Sequence, residues 1–267
     1  MIVLRDDLGR EVTLAAPARR VVSLVPSLTE TLFALGRGDA VVGATRYCTE
    51  PKDLLQRVER VGGTKHPDLT RIVALEPDLV LINSEENRKQ DFDALLSAGL
   101  TLFVCFPRRV HHTLGVMRRL GLLVGATPVA DQLLGELEQV LAECASLVGC
   151  TGPRVFCPIW KNPWMSFNGD TYTDDMLSLA GGRNLCRERA ERYCTVSLDE
   201  IARMEPEVVL LPDEPYVFAP KDLPALQPLA DTPALRAGRV HFIDGKALCW
   251  YGPRTAPGLR YLRRLLG

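Results

Sequence analysis

The residues in this chain best placed to do chemistry are aromatic. Trp160 and Trp164 lie in PIWKNPWMSFNGD, Trp250 and Tyr251 in ALCWYGPR, and Tyr193 just before CTVS. Tyr47, in ATRYCTEP, is their counterpart in the first half. These stretches have the Pro, Gly and Asn of irregular loops. A loop aromatic leaves apolar area in water unless something covers it. One such residue packs readily on its own lobe. Several placed after strand ends point to a crevice for a large, flat, partly apolar ligand with a polar rim. Covalent chemistry has no visible apparatus: G-x-S-x-G, G-x-x-x-x-G-K-[ST] and H-E-x-x-H are all absent. His111 and His112 are adjacent on a helix start, about 100° apart, so one metal ion could not easily use both. No catalytic residue, metal site or covalently bound cofactor is therefore expected.

The elements that must position these loops come in two sets. RIVALEPDLVLI (Arg71–Ile82) returns half a chain later as EIARMEPEVVLL (Glu200–Leu211). Each copy reads as a short helix, Leu69–Leu75 or Leu198–Met204, ended by Glu-Pro because a residue before proline is pushed out of the α region. The apolar runs DLVLI and EVVLL then read as buried strands of the parallel kind. RVVSL (Arg20–Leu24) and RVFCP (Arg154–Pro158) read as matching opening strands. Ser27–Gly36 and Tyr172–Gly182 read as matching helices that start at Ser or Thr with acids in the first turn and stop at Gly. GRGDAVVG (Gly36–Gly43) lacks dinucleotide-loop spacing and reads as a turn after a helix. Helix Asn87–Ala98, strand Leu100–Phe106 and helix His111–Gly125 complete the first set, and TPALRAG with strand RVHFI the second.

Between the sets, Thr127–Gly149 keeps a helical period through Val129, Leu133, Leu137, Val140, Leu141, Ala145 and Val148, and GCTGP ends it. The expected architecture is α/β: two Rossmann-like lobes joined by one long backbone helix, with the ligand cleft between the lobes. The expected domains are an N-terminal lobe 1–126, a connecting helix 127–149 and a C-terminal lobe 150–267.

Composition excludes other classes. A net charge of -1 over 267 residues argues against a nucleic-acid binder. Arg260, Arg263 and Arg264 read as a solvated helix face. No run of about 18 apolar residues exists, so no membrane insertion is expected. Arg5, Asp6 and Asp7 interrupt any signal h-region, so the protein is cytoplasmic if Met1 is the native start and periplasmic or at the cell surface if a leader was removed. The eight cysteines show no C-x-x-C pair, and reduced thiols are expected. A monomer is expected.

The motifs RVVSLVPSLTETLFALGRGDAVVGATRYCTEP, VGGTKHPDLTRIVALEPDLVLI, AGGRNLC, VSLDEIARMEPEVVLL and WYGPR resemble, in that order, the helical-backbone class of substrate-binding proteins of ABC importers, nearest to its cobalamin-binding members. The resemblance runs from about Val3 to the C-terminus. It implies two α/β lobes, a rigid connecting helix and little closure on binding. It also implies a small-molecule ligand, here a corrinoid (cobalamin or cobinamide), and an ABC permease as partner. Tyr47 matches a ligand-contacting tyrosine, Tyr193 stands where the family has a cleft tryptophan, and Trp250 matches an aromatic near the cleft, with Tyr251 beside it. Thr64 replaces a stacking tryptophan, which leaves Trp160 or Trp164 to compensate. His66 and Asn83–Glu85 are expected at the cleft rim. The family docks on its permease through one acid per lobe. Lobe 2 offers Asp199 and Glu200, whereas lobe 1 has Thr70 at the matching position and Asp68 nearby, its charge offset by Lys65.

The leading functional expectation is a corrinoid-binding protein that delivers its ligand to an importer. The alternative is a cytoplasmic binding or sensing protein of the same fold for a corrinoid, haem, siderophore or metal chelate. An enzyme that reuses the cleft ranks last.

Overall fold

A computed structural model describes residues 1–145 and 152–267. The chain divides into two units: Met1–Pro107 with His111–Glu136 and Tyr251–Pro253, and Arg108–Val110 with Leu137–Trp250 and Arg254–Gly267.

Unit 1 opens on an antiparallel hairpin of β1 (Ile2–Arg5) and β2 (Glu11–Leu14). Next come β3 (Val21–Ser23), α1 (Pro26–Ala34), β4 (Val41–Ala44), β5 (Glu59–Arg60), α2 (Leu69–Ala74) and β6 (Leu79–Asn83). Then follow α3 (Lys89–Ser97), β7 (Leu102–Cys105), α4 (His112–Leu123) and α5 (Thr127–Ala145), the last running on into unit 2. Five strands form a parallel sheet in the order β5-β4-β3-β6-β7. Strands β3, β6 and β7 are buried along their whole length, as a sheet covered on both faces requires. Close packing of α4 on α5 depends on Gly121, where a Cβ would lie 2.6 Å from that of Ala130.

Three expectations change here. Ser27 does not cap α1: the helix starts at Pro26, Val25 holds the cap position, the first turn has no acid, and Ser27 is buried. Proline suits that position because its missing N–H would have had no partner anyway. The stretch read as a turn contains a short 3-10 helix, Gly38–Ala40, and then strand β4. In α5 the buried stripe is Ala130, Leu134, Leu137, Val140 and Cys144, whereas Val129 faces water. The expected helix end at Gly149 and the start of GCTGP fall among residues 146–151, outside the described residues.

Unit 2 contains β8 (Arg154–Phe156), β9 (Met165–Phe167), α6 (Tyr172–Leu179), β10 (Arg183–Asn184), β11 (Tyr193–Thr195) and α7 (Leu198–Arg203). It continues with β12 (Val208–Pro212), a 3-10 segment Pro220–Leu229 that periodicity did not show, α8 (Pro233–Arg236), β13 (Val240–Ile243), α9 (Gly245–Cys249) and α10 (Thr255–Leu266). Four strands form a parallel sheet, β10-β8-β12-β13, and β9 pairs antiparallel with β11. Thr171 caps α6 by accepting from the Asp174 amide, and Ser197 caps α7 by accepting from the Glu200 amide.

The repeated sequence folds the same way twice. Glu76 and Glu205, the residues before the prolines, adopt left-handed backbone conformations with φ of 45° and 50°. Such a turn costs a non-glycine residue about 1–2 kcal/mol. An arginine from the opening strand holds each one. Arg20 Nε donates to the carbonyls of Leu75 (3.1 Å) and Glu76 (3.2 Å), and Arg154 Nε donates to the carbonyl of Glu205 (2.7 Å). The acid after each proline completes the clasp. Asp78 accepts from the Arg20 amide at 2.9 Å, and Glu207 accepts from the Arg154 amide at 2.8 Å. The amides of Asp78 and Glu207 return bonds of 2.8 Å to the Arg20 and Arg154 carbonyls. The next residues start the parallel pairs, Val21 with Leu79 and Val155 with Val208. Hydrogen bonds to charged groups contribute about 1.5–3 kcal/mol. Arg20→Met and Arg154→Met, which keep the aliphatic stem, are therefore each expected to lower unfolding stability by roughly that amount in urea titrations. An unchanged midpoint in both would show that the clasp is incidental.

Candidate functional site

In each sheet the strand order reverses once. Unit 1 goes from β3 to β4 and β5 on one side and returns to β6 and β7 on the other. Unit 2 goes from β8 to β10 and returns to β12 and β13. Loops diverge at the C-terminal ends of the strands flanking such a reversal, and open α/β sheets hold ligands there.

At the unit 2 reversal, Trp160 follows β8 and Tyr216 follows β12. Their rings meet edge to face, with centroids 5.7 Å apart and planes at 75°. Tyr216 contacts Phe218 at 4.6 Å, and Phe218 stacks on Trp164 at 5.8 Å and 9°. Trp160, at 44% exposure, is the open end of this row, and Trp164 is packed against the core. A polar rim adjoins it. Lys161 Nζ lies 2.7 Å from Asp222 Oδ1, which also accepts from the Tyr216 hydroxyl at 3.3 Å. The lysine holds the Asp222 carboxyl below the usual carboxylate range.

Trp250 is placed differently from the open aromatic expected. It is 4% exposed, and its indole N–H donates to Glu214 Oε1 at 2.6 Å. Lys246 Nζ and Arg254 Cζ lie 5.4 and 5.6 Å from its ring centroid. Burial pushes the Glu214 carboxyl up, against the hydrogen bond from Trp250. Tyr193, on β11 opposite Phe167, is 45% exposed.

In unit 1 the open aromatic is Tyr47, after β4, at 50% exposure. The Arg46 guanidinium lies over its ring at 5.0 Å, and Nη2 donates to the phenol oxygen at 3.3 Å. Thr64 is half-buried, and its carbonyl accepts from Asn87 Nδ2 at 3.0 Å. His66 is exposed, in a tight loop closed by a bond from the Gly63 amide to the His66 carbonyl. Gly62, at φ 89°, permits that turn, since a Cβ there would sit 2.7 Å from the same carbonyl. Glu85 is half-buried, and its carbonyl accepts from Lys65 Nζ at 2.5 Å.

Asn83 and Tyr251 point inward. Asn83 Oδ1 accepts from the amides of Glu85 and Glu86, and Nδ2 donates to the Tyr251 hydroxyl at 2.9 Å. That hydroxyl also lies 3.0 Å from Cys105 Sγ, and burial pushes the phenol up. The two residues shape the strand end from beneath. Sequence reasoning missed Arg46, Asn87 and Tyr216, and placed Lys65 beside Asp68 rather than at the Glu85 carbonyl. The signal for Arg46 was its adjacency to Tyr47; Tyr216 lay in DEPYVF, a loop like those that drew notice to the tryptophans.

The three candidate docking acids differ in freedom. Asp68 caps α2 by accepting from the Arg71 amide and pairs with the Arg71 side chain at 3.5 Å, so Arg71 rather than Lys65 offsets it. Glu200 pairs with Arg189, which holds its carboxyl below the usual range. Asp199 is exposed at the start of α7. Beside Glu200 lies a groove of about 380 Å³ with Leu185 and Met204 among its lining residues. Among the described residues no cluster of His, Cys, Asp and Glu could hold a metal ion, and no helix is long and apolar enough to cross a membrane.

Two substitutions separate packing from binding. Trp250→Ala should lower stability by about 3–5 kcal/mol, as loss of a buried aromatic does, and so should unfold early by thermal melt. Glu214→Gln keeps an acceptor for the indole and removes a charge that the folded state disfavours. A carboxyl whose folded pKa lies above its unfolded value loses stability as pH rises between them. Glu214→Gln should therefore melt no lower than the parent at pH 7, and any gain should vanish as pH falls below the ordinary glutamate range. A lower melting point at pH 7 would contradict this.

Residues 21–247 match the model of the family described as periplasmic binding protein. The chain is 26% identical to the ABC transporter substrate-binding lipoprotein YvrC of Bacillus subtilis, over 98% of this chain and 84% of that one. It is 28% identical to the vitamin B12-binding protein of Photorhabdus laumondii, over 74% of this chain and 71% of that one. Among solved structures, the periplasmic heme-binding protein RhuT of Roseiflexus superposes with a TM-score of 0.82 at 25% identity, covering 93% of this chain and 97% of that one. The chain thus belongs to the periplasmic binding protein family, in the helical-backbone class of ABC-importer substrate-binding proteins.

Proposed function

We propose that the protein binds a corrinoid of the cobalamin or cobinamide kind and delivers it to an ABC importer. The observation that carries this reading is the edge-to-face pair of Trp160 and Tyr216, open to solvent at the strand reversal of unit 2. Tyr47 plays the equivalent part at the strand ends of unit 1. A macrocycle offers apolar area to such rings and hydrogen-bonding groups at its edge to Arg46 and Lys161. The vitamin B12-binding relatives support the corrinoid over other flat ligands. A second reading, haem, has its own support in the likeness to RhuT and in the cationic Arg46 beside Tyr47, which suits an acid-bearing macrocycle.

Cobinamide should quench tryptophan fluorescence saturably, with a dissociation constant of micromolar or tighter, about -8 kcal/mol. Tyr47→Ala and Trp160→Ala should each weaken binding by about 1–3 kcal/mol and leave the melting temperature nearly unchanged. Haemin binding without cobinamide binding would transfer the site to the second reading. No quenching and no calorimetric heat with either at high micromolar concentration would sink both.

Docking on a permease rests on the same family membership. Two of the three acids already have cationic partners, so Asp199 carries most of the contact. Asp199→Asn should reduce retention on the permease in a pull-down more than Glu200→Gln or Asp68→Asn does. Exposed pairs are worth about 0.2–1 kcal/mol, so the binding should be salt-sensitive. Tight binding that none of the three changes affects would exclude these acids.

A further inference from the structure

Each unit places a cation beside its open aromatic, and the two cations differ in what already holds them. Lys161 has a carboxylate partner: its Nζ lies 2.7 Å from Asp222 Oδ1, and the aspartate side chain is only 4% exposed. A carboxylate so buried keeps the ammonium for itself, because losing it would leave an uncompensated charge. Arg46 is exposed and, among the described residues, makes no ion pair with a carboxylate. Its guanidinium rests on the Tyr47 ring at 5.0 Å and donates once, to the phenol oxygen at 3.3 Å. A guanidinium has five N–H donors, so most are left for another group.

The backbone fixes where this guanidinium stands. The Arg46 amide donates to the Gly62 carbonyl at 2.8 Å, and the Cys48 amide closes the turn onto the Thr45 carbonyl at 3.1 Å. Arg60 Nη1 ties both ends of that turn, donating to the carbonyls of Thr45 and Cys48 at 2.9 Å each. Gly63 leaves room for the pair above it: a Cβ there would lie 3.3 Å from Arg46 Nη2 and 3.3 Å from Tyr47 Cε2. The same loop continues to Lys65, which is exposed and donates from Nζ to the Glu85 carbonyl at 2.5 Å. That bond goes to a neutral group, so two of its three donors and its charge remain for a ligand.

We propose that Arg46 and Lys65 form an oxyanion subsite beside Tyr47, and that the preferred ligand is a corrinoid whose side chain ends in a phosphate or a carboxylate. The inference rests on the binding role proposed above for Tyr47 and narrows the ligand from any corrinoid to an anionic one. The planar fork of Arg46 meets two oxygens of such a group at once, and the Lys65 ammonium adds a point charge. A neutral amide or hydroxyl would use a donor or two and none of the charge.

Three corrinoids with one ring test this and separate the sources of the oxyanion. Cobinamide ends a side chain in a neutral hydroxyl, cobinamide phosphate ends it in a phosphate, and cobyric acid ends it earlier, in a carboxylate. Calorimetric titration at low salt should find at least one of the two anionic forms about tenfold tighter than cobinamide, and the form that gains more identifies the oxyanion. The gain should shrink as salt rises, because both cations are exposed. Arg46→Gln should remove most of the gain. Arg46→Lys, which keeps the charge without the fork, should retain part of it, and Lys161→Gln should weaken all three ligands alike. Equal affinities for the three in the unsubstituted protein, or a preference that survives Arg46→Gln, would overturn the subsite and leave corrinoid binding intact. If no corrinoid binds, haemin and its dimethyl ester make the same comparison, since the ester lacks the carboxylate charges. A preference for haemin that Arg46→Gln removes would support the oxyanion subsite while overturning its corrinoid ligand. No preference, or no binding of either, would overturn the subsite itself.

Discussion

An arginine at the start of the first sheet strand of each unit clasps the end of a helix and the beginning of its neighbouring strand. Arg20 and Arg154 do this with the same groups: the guanidinium on helix-terminal carbonyls, the backbone in reciprocal bonds with an acidic residue two positions after a left-handed glutamate. The proline between glutamate and acid fixes the turn. The turn fixes where β6 and β12 start, and hence their register against β3 and β8. In a parallel sheet buried on both faces, a slip of one residue would turn every side chain to the opposite face. The clasp therefore decides which residues emerge at the far, C-terminal ends of these strands.

Those ends are where the two halves diverge. The unit 2 reversal presents a row of aromatic rings that runs from a packed tryptophan out to an open one, with a lysine–aspartate pair at its edge. Unit 1 presents a single open tyrosine with an arginine lying over it, and two buried asparagines tie the β6 end to the carbonyls of Leu24 and Thr64. Both surfaces combine apolar area with cationic groups. That combination is what the proposed large ring ligand with polar substituents would use.

Much of the fold was legible because it rests on local rules. The Glu-Pro stops, the apolar runs after them and the matching opening strands name a parallel α/β half twice over, and the family match bears this reading out. What the sequence hid depends on contacts between distant positions. Nothing near Trp250 shows that Glu214 would take its indole N–H, or that Asn83 would turn to Tyr251 across 168 positions. Ser27 looked like a cap because its type is right, but Pro26 one place earlier serves the helix start better. Val129 misled through a one-residue error in the phase of a helical stripe. Tyr216 shows in the sequence only as a loop aromatic in DEPYVF; its place beside Trp160 follows from the strand reversal between β8 and β12, which brings their loops together.

Hydrogen–deuterium exchange with and without saturating cobinamide tests the central claim most directly. The account predicts slower exchange with ligand at residues 45–48 and 84–87 and at residues 158–161 and 213–217, with the edge strand β13 and the groove beside Glu200 unchanged. Unaltered exchange in all four strand-end segments, with protection appearing instead at either of those other places, would contradict it.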